Sequence, residues 1–563
     1  MRYTTAGLIL SCHFECITAS AAAKPFTSVR ELCYNTGEMD QDTPQHSTKF
    51  TAAIIRLSFL LVIASIILFL VSGFFLPIGH DPSENRGDEE TGEPTFEDSI
   101  TGPEDRSDRI TRTLSGPFDI VIRNGRVMDP ETGMDQVAHV GIMNDVIVAV
   151  TRDDIAGIRE IDAEGFVVAP GFIDVTMPGF PSPELYRNIQ HWKLTDGVTT
   201  ALWTHDGWHD PQLVIDPIRD GVHLINWGVG TSINRLYHPD RTHEQRLALL
   251  ERAVRGGGVS VGASPEYYQW ISTEALIDYA RVADRYDLWL GLHLRYSRRD
   301  MELDGVREAI EVAETSGAHV HIFHISSTGG TYNAAEALDL LDEARARGVR
   351  ITADVYPYSY WMTYLNSARF DEGWRDGFGI DYDELFYVPA REHLDEDTFH
   401  ARRRDGGLTV VPEGTISWED AIIPALQRDW VFIASDGWSG RNPFFADTPF
   451  AGHPRGSGTF ATALSLHRRF DLPLMTLLRK ITLDPALHMQ TADASFARRG
   501  RLQIGAYADL TVFDPERVGG GGTILDSARR SEGIHLVIVN GLVAYEDGAV
   551  LGINAGRLIN RGL

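Results

Sequence analysis

Eight short apolar runs recur between Phe166 and Gly437, and each is followed by polar or helical sequence. They read FVVAPGFIDV, TTALWTH, LINWGVG, GVSVGASP, LWLGLHLRY, HVHIFHIS, RITADVYP and WVFIASDG. Between several of them lie amphipathic stretches such as TEALIDYARVADRY and YNAAEALDLLDEARARG. A strand that is apolar on both faces, alternating with a helix, specifies a parallel sheet covered by helices. Eight such units over residues 169–498 fit a closed (β/α)8 TIM barrel with insertions. In that architecture chemistry sits at the C-terminal ends of the strands, and the polar residues of these runs cluster there.

The flanking sequence has a different period. FDIVIRNGRVMD and AHVGIMNDVIVAV alternate as strands around turns such as Asn124-Gly125, and ADLTVFDPE and GIHLVIVNGLVAYEDG do the same near the other end. These runs predict a small β-sandwich built from both ends of the catalytic region, residues 116–168 and 499–563. Leu57 to Ile78 carries no charge and is long enough to span a bilayer, whereas a cleaved signal peptide would have a shorter apolar core. The reading is a single transmembrane anchor over 57–78. Lys49 and Arg56 on its near side place residues 1–56 in the cytoplasm and the catalytic region on the extracytoplasmic side. Residues 79–115 are polar and acidic, and read as a disordered linker. The three cysteines, Cys12, Cys16 and Cys33, all precede the anchor, so the main domain has neither a disulfide framework nor a cysteine metal ligand. A formal net charge of −28 repels phosphate and excludes nucleic acid as a partner. Nothing in the sequence sets an oligomeric state.

Three strand ends carry candidate chemistry. Strand five ends in His293-Leu294-Arg295, and residues two apart share a face, so His293 and Arg295 point the same way. Strand six ends in His324-Ile325-Ser326, with His321 on the opposite face, and strand eight ends in Ser435-Asp436-Gly437. Adjacent strands lie about 5 Å apart, which lets His293 and His324 share one divalent ion at the barrel mouth. A metal there makes water ionisable near neutral pH, and Asp436 is placed to act as general base and then to return the proton to a leaving amine.

Several motifs carry a family resemblance. Pro170-Gly171-Phe172-Ile173-Asp174 resembles the first-strand signature of the amidohydrolase superfamily, and Asp196-Gly197-Val198-Thr199-Thr200 resembles its entry to strand two. With Asp354-Val355-Tyr356-Pro357-Tyr358, Ser435-Asp436-Gly437, His453-Pro454-Arg455-Gly456 and the Ile504 to Leu510 segment, the pattern resembles the N-acyl-D-amino-acid deacylase (D-aminoacylase) branch over about residues 117–550. The resemblance implies that His293 and His324 are metal ligands, that Asp436 is the general acid/base, and that Arg455 holds a substrate carboxylate. It brings Tyr267 and Tyr356 close to substrate, and offers Arg295 either as a further anion contact or as the partner of a nearby carboxylate.

The departures from that pattern are as informative. The family's first strand continues into His-x-His, where this chain has Thr176 and Pro178. Its strand-two ligand is a cysteine or glutamate; here His205 or Asp206 takes the place, with a slight preference for His205. A lysine often found two residues after the strand-six histidine is Ser326. The expectation is therefore a site for one zinc, or another divalent metal, rather than two. The reaction implied is hydrolysis of a linear amide, an N-acyl-(D-)amino acid or a related small molecule. A catalytically inactive, membrane-tethered binding barrel is the alternative, followed by a hydantoinase-like cyclic-amide hydrolase. Strand four, Gly258 to Gly262, lacks the lysine that hydantoinases carry.

Overall fold

All eight apolar runs form barrel strands, numbered one to eight from here on: Phe172–Asp174, Val198–Trp208, Asn226–Ser232, Val261–Ala263, Leu290–Leu292, Val320–Ile322, Ile351–Val355 and Val431–Ile433. The computed structural model describes residues 117–178, 183–437 and 452–560. The expected anchor, the segment before it and the acidic linker lie outside these residues. Among the described residues no helix is long and apolar enough to cross a membrane.

Each strand pairs in parallel with the next, from one through to eight. Several are only three residues long and fully buried, because barrel wall and helical ring cover both faces. Strands eight and one share no ladder. Their seam is closed by the Asp436 amide donating to the Thr176 carbonyl at 2.9 Å and by the Ser435 amide donating to Asp174 Oδ1 at 3.1 Å. Lys193, from the helix Pro183–Thr195, enters the seam fully buried, with Nζ 2.8 Å from Asp174 Oδ2, from Ser435 Oγ and from the Gly437 carbonyl.

The small domain joins the strands of both chain ends by continuous ladders. It is one continuous nine-stranded sheet, in the order Ala549–Val550, Leu542–Glu546, Ile534–Val539, Leu510–Phe513, Val167–Pro170, Phe118–Asp129, Met134–Met143, Val146–Thr151, with Gly157–Asp162 also paired to Phe118–Asp129. The reason is Val167–Pro170, which pairs with Phe118–Asp129 on one side and Leu510–Phe513 on the other, and so fuses the two halves edge to edge. The sheet encloses its own core, including Ile122, Val140, Val168, Leu510 and Ile538. Its first part thus ends at Pro170 rather than at 168, and only Gly171 separates it from strand one.

Two further segments matter for the site. Between strands seven and eight an insertion forms a four-stranded antiparallel sheet, Met362–Tyr364, Leu408–Val410, Phe386–Tyr387 and Glu392–His393. At the opposite end of the barrel the chain's last described residues reach the start of strand three, where the Ile559 amide donates to the Trp227 carbonyl at 2.7 Å and the Trp227 amide to that of Arg557 at 3.0 Å.

Candidate metal centre

The C-terminal ends of strands two, five and six bring three histidines together. His293 Nδ1 stands 3.2 Å from His324 Nε2, and His324 Nε2 stands 3.3 Å from His205 Nε2. One nitrogen from each ring lies within 4.8 Å of the other two, and all three side chains are buried.

Local backbone devices aim these rings. Strand two shifts register between Trp203 and Trp208, which is a β-bulge, with Asp206 at φ 68° and Gly207 at φ 58°. The bulge lies against Gly262 of strand four, where a Cβ would stand only 2.8 Å from the Thr204 carbonyl oxygen. The turn sends His205 into the cavity and Asp206 sideways, where it accepts from Asn234 Nδ2 at 2.6 Å and from the Ser264 hydroxyl. Of the two candidates for the strand-two position, His205 joins the trio and Asp206 does not. His324 is left-handed, at φ 35°, and its amide is held by Asp354 Oδ1 at 2.8 Å. Strand six ends at Ile322, so alternation of faces lapses beyond it: Ser327 lines the cavity, while Ser326 lines a separate small void with Ala334 and Ala421.

The donor set fits zinc. Zn–N bonds of about 2.0–2.1 Å at tetrahedral angles separate ligand nitrogens by roughly 3.3 Å, which matches the two shortest distances here. Burial pushes the imidazoles of His293 and His324 below their usual range, so both are neutral with a free lone pair near pH 7. Each also has its outer nitrogen occupied. His293 Nε2 bonds to Glu266 Oε2 at 2.6 Å, and His324 Nδ1 to Ser327 Oγ at 3.0 Å. Three protein ligands with open space beside them is the usual form of a catalytic zinc site.

Asp436, left-handed at φ 42°, projects beside the trio. Its oxygens lie 3.7 Å from His324 Nε2 and 3.9 Å from His205 Nδ1, and Arg455 Nη2 pairs with it at 2.9 Å. Arg455 also lies over the Tyr356 ring, 4.7 Å from its centroid. Tyr267 and Tyr356 both line the cavity, and burial pushes the Tyr267 phenol up to about 12, which keeps it a hydrogen-bond donor. The cavity holds about 390 Å³ and opens between these polar groups and an apolar wall of Tyr268, Trp361, Met362, Tyr364 and Leu408.

Arg295 does not take part. Strand five ends at Leu292, and the Arg295 guanidinium turns outward to pair with Glu308 of the next helix, at 2.7 Å from Nη2 to Oε1, and with the Ile271 carbonyl. Two residues at the site had no sequence signal of their own. Glu266, just beyond strand four, is pushed up by burial but held down at about 2 by Arg369 and by its hydrogen bonds to His293 and Ser297. Arg369 belongs to the insertion and meets Glu266 only through the fold. The missing first-strand histidines are also accounted for. Thr176 donates to Asp354 Oδ2 at 2.7 Å, and Pro178 lines the mouth without a ligand atom.

A barrel whose strand ends carry a histidine trio and an aspartate defines a metal-dependent hydrolase. The chain belongs to the amidohydrolase family, whose model matches residues 167–543. It is 29% identical to a D-aminoacylase of Alcaligenes xylosoxydans xylosoxydans over 80% of this chain and 99% of that protein. Among solved structures it resembles an N-acyl-D-glutamate deacylase of Bordetella bronchiseptica, complexed with zinc and a phosphonate mimic of the tetrahedral intermediate, with a TM-score of 0.66, 22% identity, and 79% and 100% of the two chains covered. It also resembles a D-aminoacylase whose binuclear centre is described as activated by one metal and attenuated by a second, with a TM-score of 0.65, 24% identity and the same coverage.

Proposed function

We propose that this protein hydrolyses a linear amide, an N-acyl amino acid of the D series, using one zinc ion held by His205, His293 and His324. The observation that carries the reading is the convergence of three buried nitrogens at zinc-ligand spacing with a carboxylate 3.7 Å away. Bound zinc supplies Lewis acidity and lets water ionise near neutral pH. Asp436 takes the proton from the attacking water as the oxygen adds to the amide carbon. It then delivers that proton to the nitrogen as the C–N bond breaks, leaving a carboxylic acid and an amine. Tyr267, protonated and facing the cavity, donates to the carbonyl oxygen. Arg455 presents a guanidinium beside Asp436 for the substrate carboxylate. The apolar wall receives the acyl chain.

The D-aminoacylase relative supports the substrate class, and the description of one-metal activation in such an enzyme agrees with a site that has three ligands and no first-strand pair. The retained trio speaks against an inactive barrel. Strand four, Val261–Ala263, offers no lysine for the hydantoinase arrangement. The apolar segment from Leu57 to Ile78 supports a single-pass anchor with the barrel on the extracytoplasmic side, which protease protection in sealed vesicles would test. The deciding experiment combines metal content with turnover of a panel of N-acyl-D- and N-acyl-L-amino acids. About one zinc per chain with release of free amino acid supports the reading, and absence of both sinks it.

A further inference from the structure

We propose that Glu266 and Arg369 are positioning residues that set which nitrogen of His293 and His324 faces the metal, and that Arg369 thereby ties the insertion to the metal centre. The inference rests on the zinc site proposed above. An imidazole binds metal through one nitrogen only, and the hydrogen bond made by the other decides which. Glu266 Oε2, at 2.6 Å from His293 Nε2, fixes the proton on that nitrogen and leaves the Nδ1 lone pair facing His324.

Glu266 has no freedom to do otherwise. Its Oε1 accepts from the Ser297 hydroxyl, and its Oε2 also accepts from Arg369 Nε at 2.9 Å. Arg369 is itself confined: its side chain is 3% exposed and lies over the Trp361 ring at 4.6 Å. Its second prong, Nη2, donates to the Ser327 carbonyl at 2.8 Å, and Ser327 Oγ bonds His324 Nδ1 at 3.0 Å. One guanidinium therefore braces the residues that hold the outer nitrogens of two of the three histidines. His205 has no share in this circuit, since its Nδ1 faces Asp436 at 3.9 Å.

Arg369 also lines the cavity, so a competing role as a substrate contact must be separable. The test uses the full chain in detergent, stripped of metal and titrated with zinc against a competing chelator. Wild type is compared with Glu266→Gln, Arg369→Met, Arg369→Lys and the double variant Glu266→Gln/Arg369→Met. Thermal melting of the metal-free forms reports folding, and the cobalt(II)-substituted absorption spectrum reports ligand geometry. Glu266→Gln is expected to raise the zinc dissociation constant about 10–100-fold and to alter the cobalt bands. Arg369→Met should shift both in the same direction, Arg369→Lys should recover part of the loss, and the double variant should fall short of the product of the singles, because the two residues act through one circuit. Zinc affinity within twofold of wild type in both Glu266→Gln and Arg369→Met overturns the proposal and leaves the zinc hydrolase standing. So does an Arg369→Met variant that changes only the Michaelis constant. Where one variant does not melt cooperatively, the Glu266→Gln and Arg369→Lys pair carries the decision. A wild type that binds no zinc overturns the proposal and the function together.

Discussion

The two halves of the barrel mouth use polar side chains in opposite ways. On strands two, five and six, His205, His293 and His324 turn nitrogens toward one another across 3.2 and 3.3 Å around a common space. On strands one and eight the polar groups satisfy each other. Asp174 takes Lys193 and Ser435, and Thr176 takes Asp354. The first half is arranged to be completed by something from outside, whereas the second is already complete and serves as the seam that closes the barrel. The difference teaches that a binding site is recognised by donors left pointing at common space, rather than by the number of polar residues at a strand end. Asp436 stands at the border, its backbone in the seam and its carboxylate facing the trio.

The sharpest way to break this comparison is to delete one ligand and one seam residue in parallel. His324→Ala should lose nearly all bound zinc and all measurable hydrolysis, while Thr176→Val should retain zinc near wild-type stoichiometry by elemental analysis. Equal losses in the two variants would erase the distinction. The border residue comes next. Asp436→Asn should keep its metal and lose turnover by about 10²–10⁴-fold, the usual worth of a positioned proton carrier. In the seam, Lys193→Met would leave Asp174 buried without its cation, and should cost about 3–5 kcal/mol in denaturant titration. Little change in the zinc affinity of the chains that remain folded is expected, and a large change would place Lys193 in the metal half.

The smallest effect belongs to Asp196, which accepts from Ser531 Oγ at 2.6 Å and from the Phe460 and Ala461 amides. Burial raises its carboxyl to about 7 from 3.8, against the opposing pull of those hydrogen bonds. Between these values the folded chain keeps a proton that the unfolded chain has released. Its contribution is therefore full below about 3.8, and stability is lost as pH rises through about 7. Asp196→Asn, which cannot ionise, should show a shallower decline in thermal midpoint across that window. Identical slopes would argue against a buried neutral carboxyl.

Legibility in the sequence followed physical range. The eight strands were readable because burial on both faces writes a local apolar run, and His293, His324 and Asp436 because each closes such a run. Choosing between His205 and Asp206 was beyond alternation of faces, since the bulge after Trp203 resets the parity. Parity misled at Arg295 as well, because strand five had ended at Leu292 and the guanidinium was free to find Glu308. The wall that the insertion lends to the cavity, Trp361, Met362, Thr363, Tyr364, Ser367, Arg369 and Leu408, carries no local pattern that marks it as lining. Arg369 and Glu266 lie 103 positions apart and meet only in the folded chain, a pairing that no local pattern encodes.

The sheet shared by the two chain ends also sets a timetable for synthesis. Val167–Pro170 leaves the ribosome with its Phe118–Asp129 neighbour available, but its other neighbour, Leu510–Phe513, is translated only after the whole barrel. At about 5–20 residues per second that edge stays open for roughly 20–70 s, a row of unpaired amides and carbonyls on each nascent chain. A chain that ends anywhere before residue 510 therefore carries Val167–Pro170 without its second neighbour, the kind of open edge on which strands of other chains can pair.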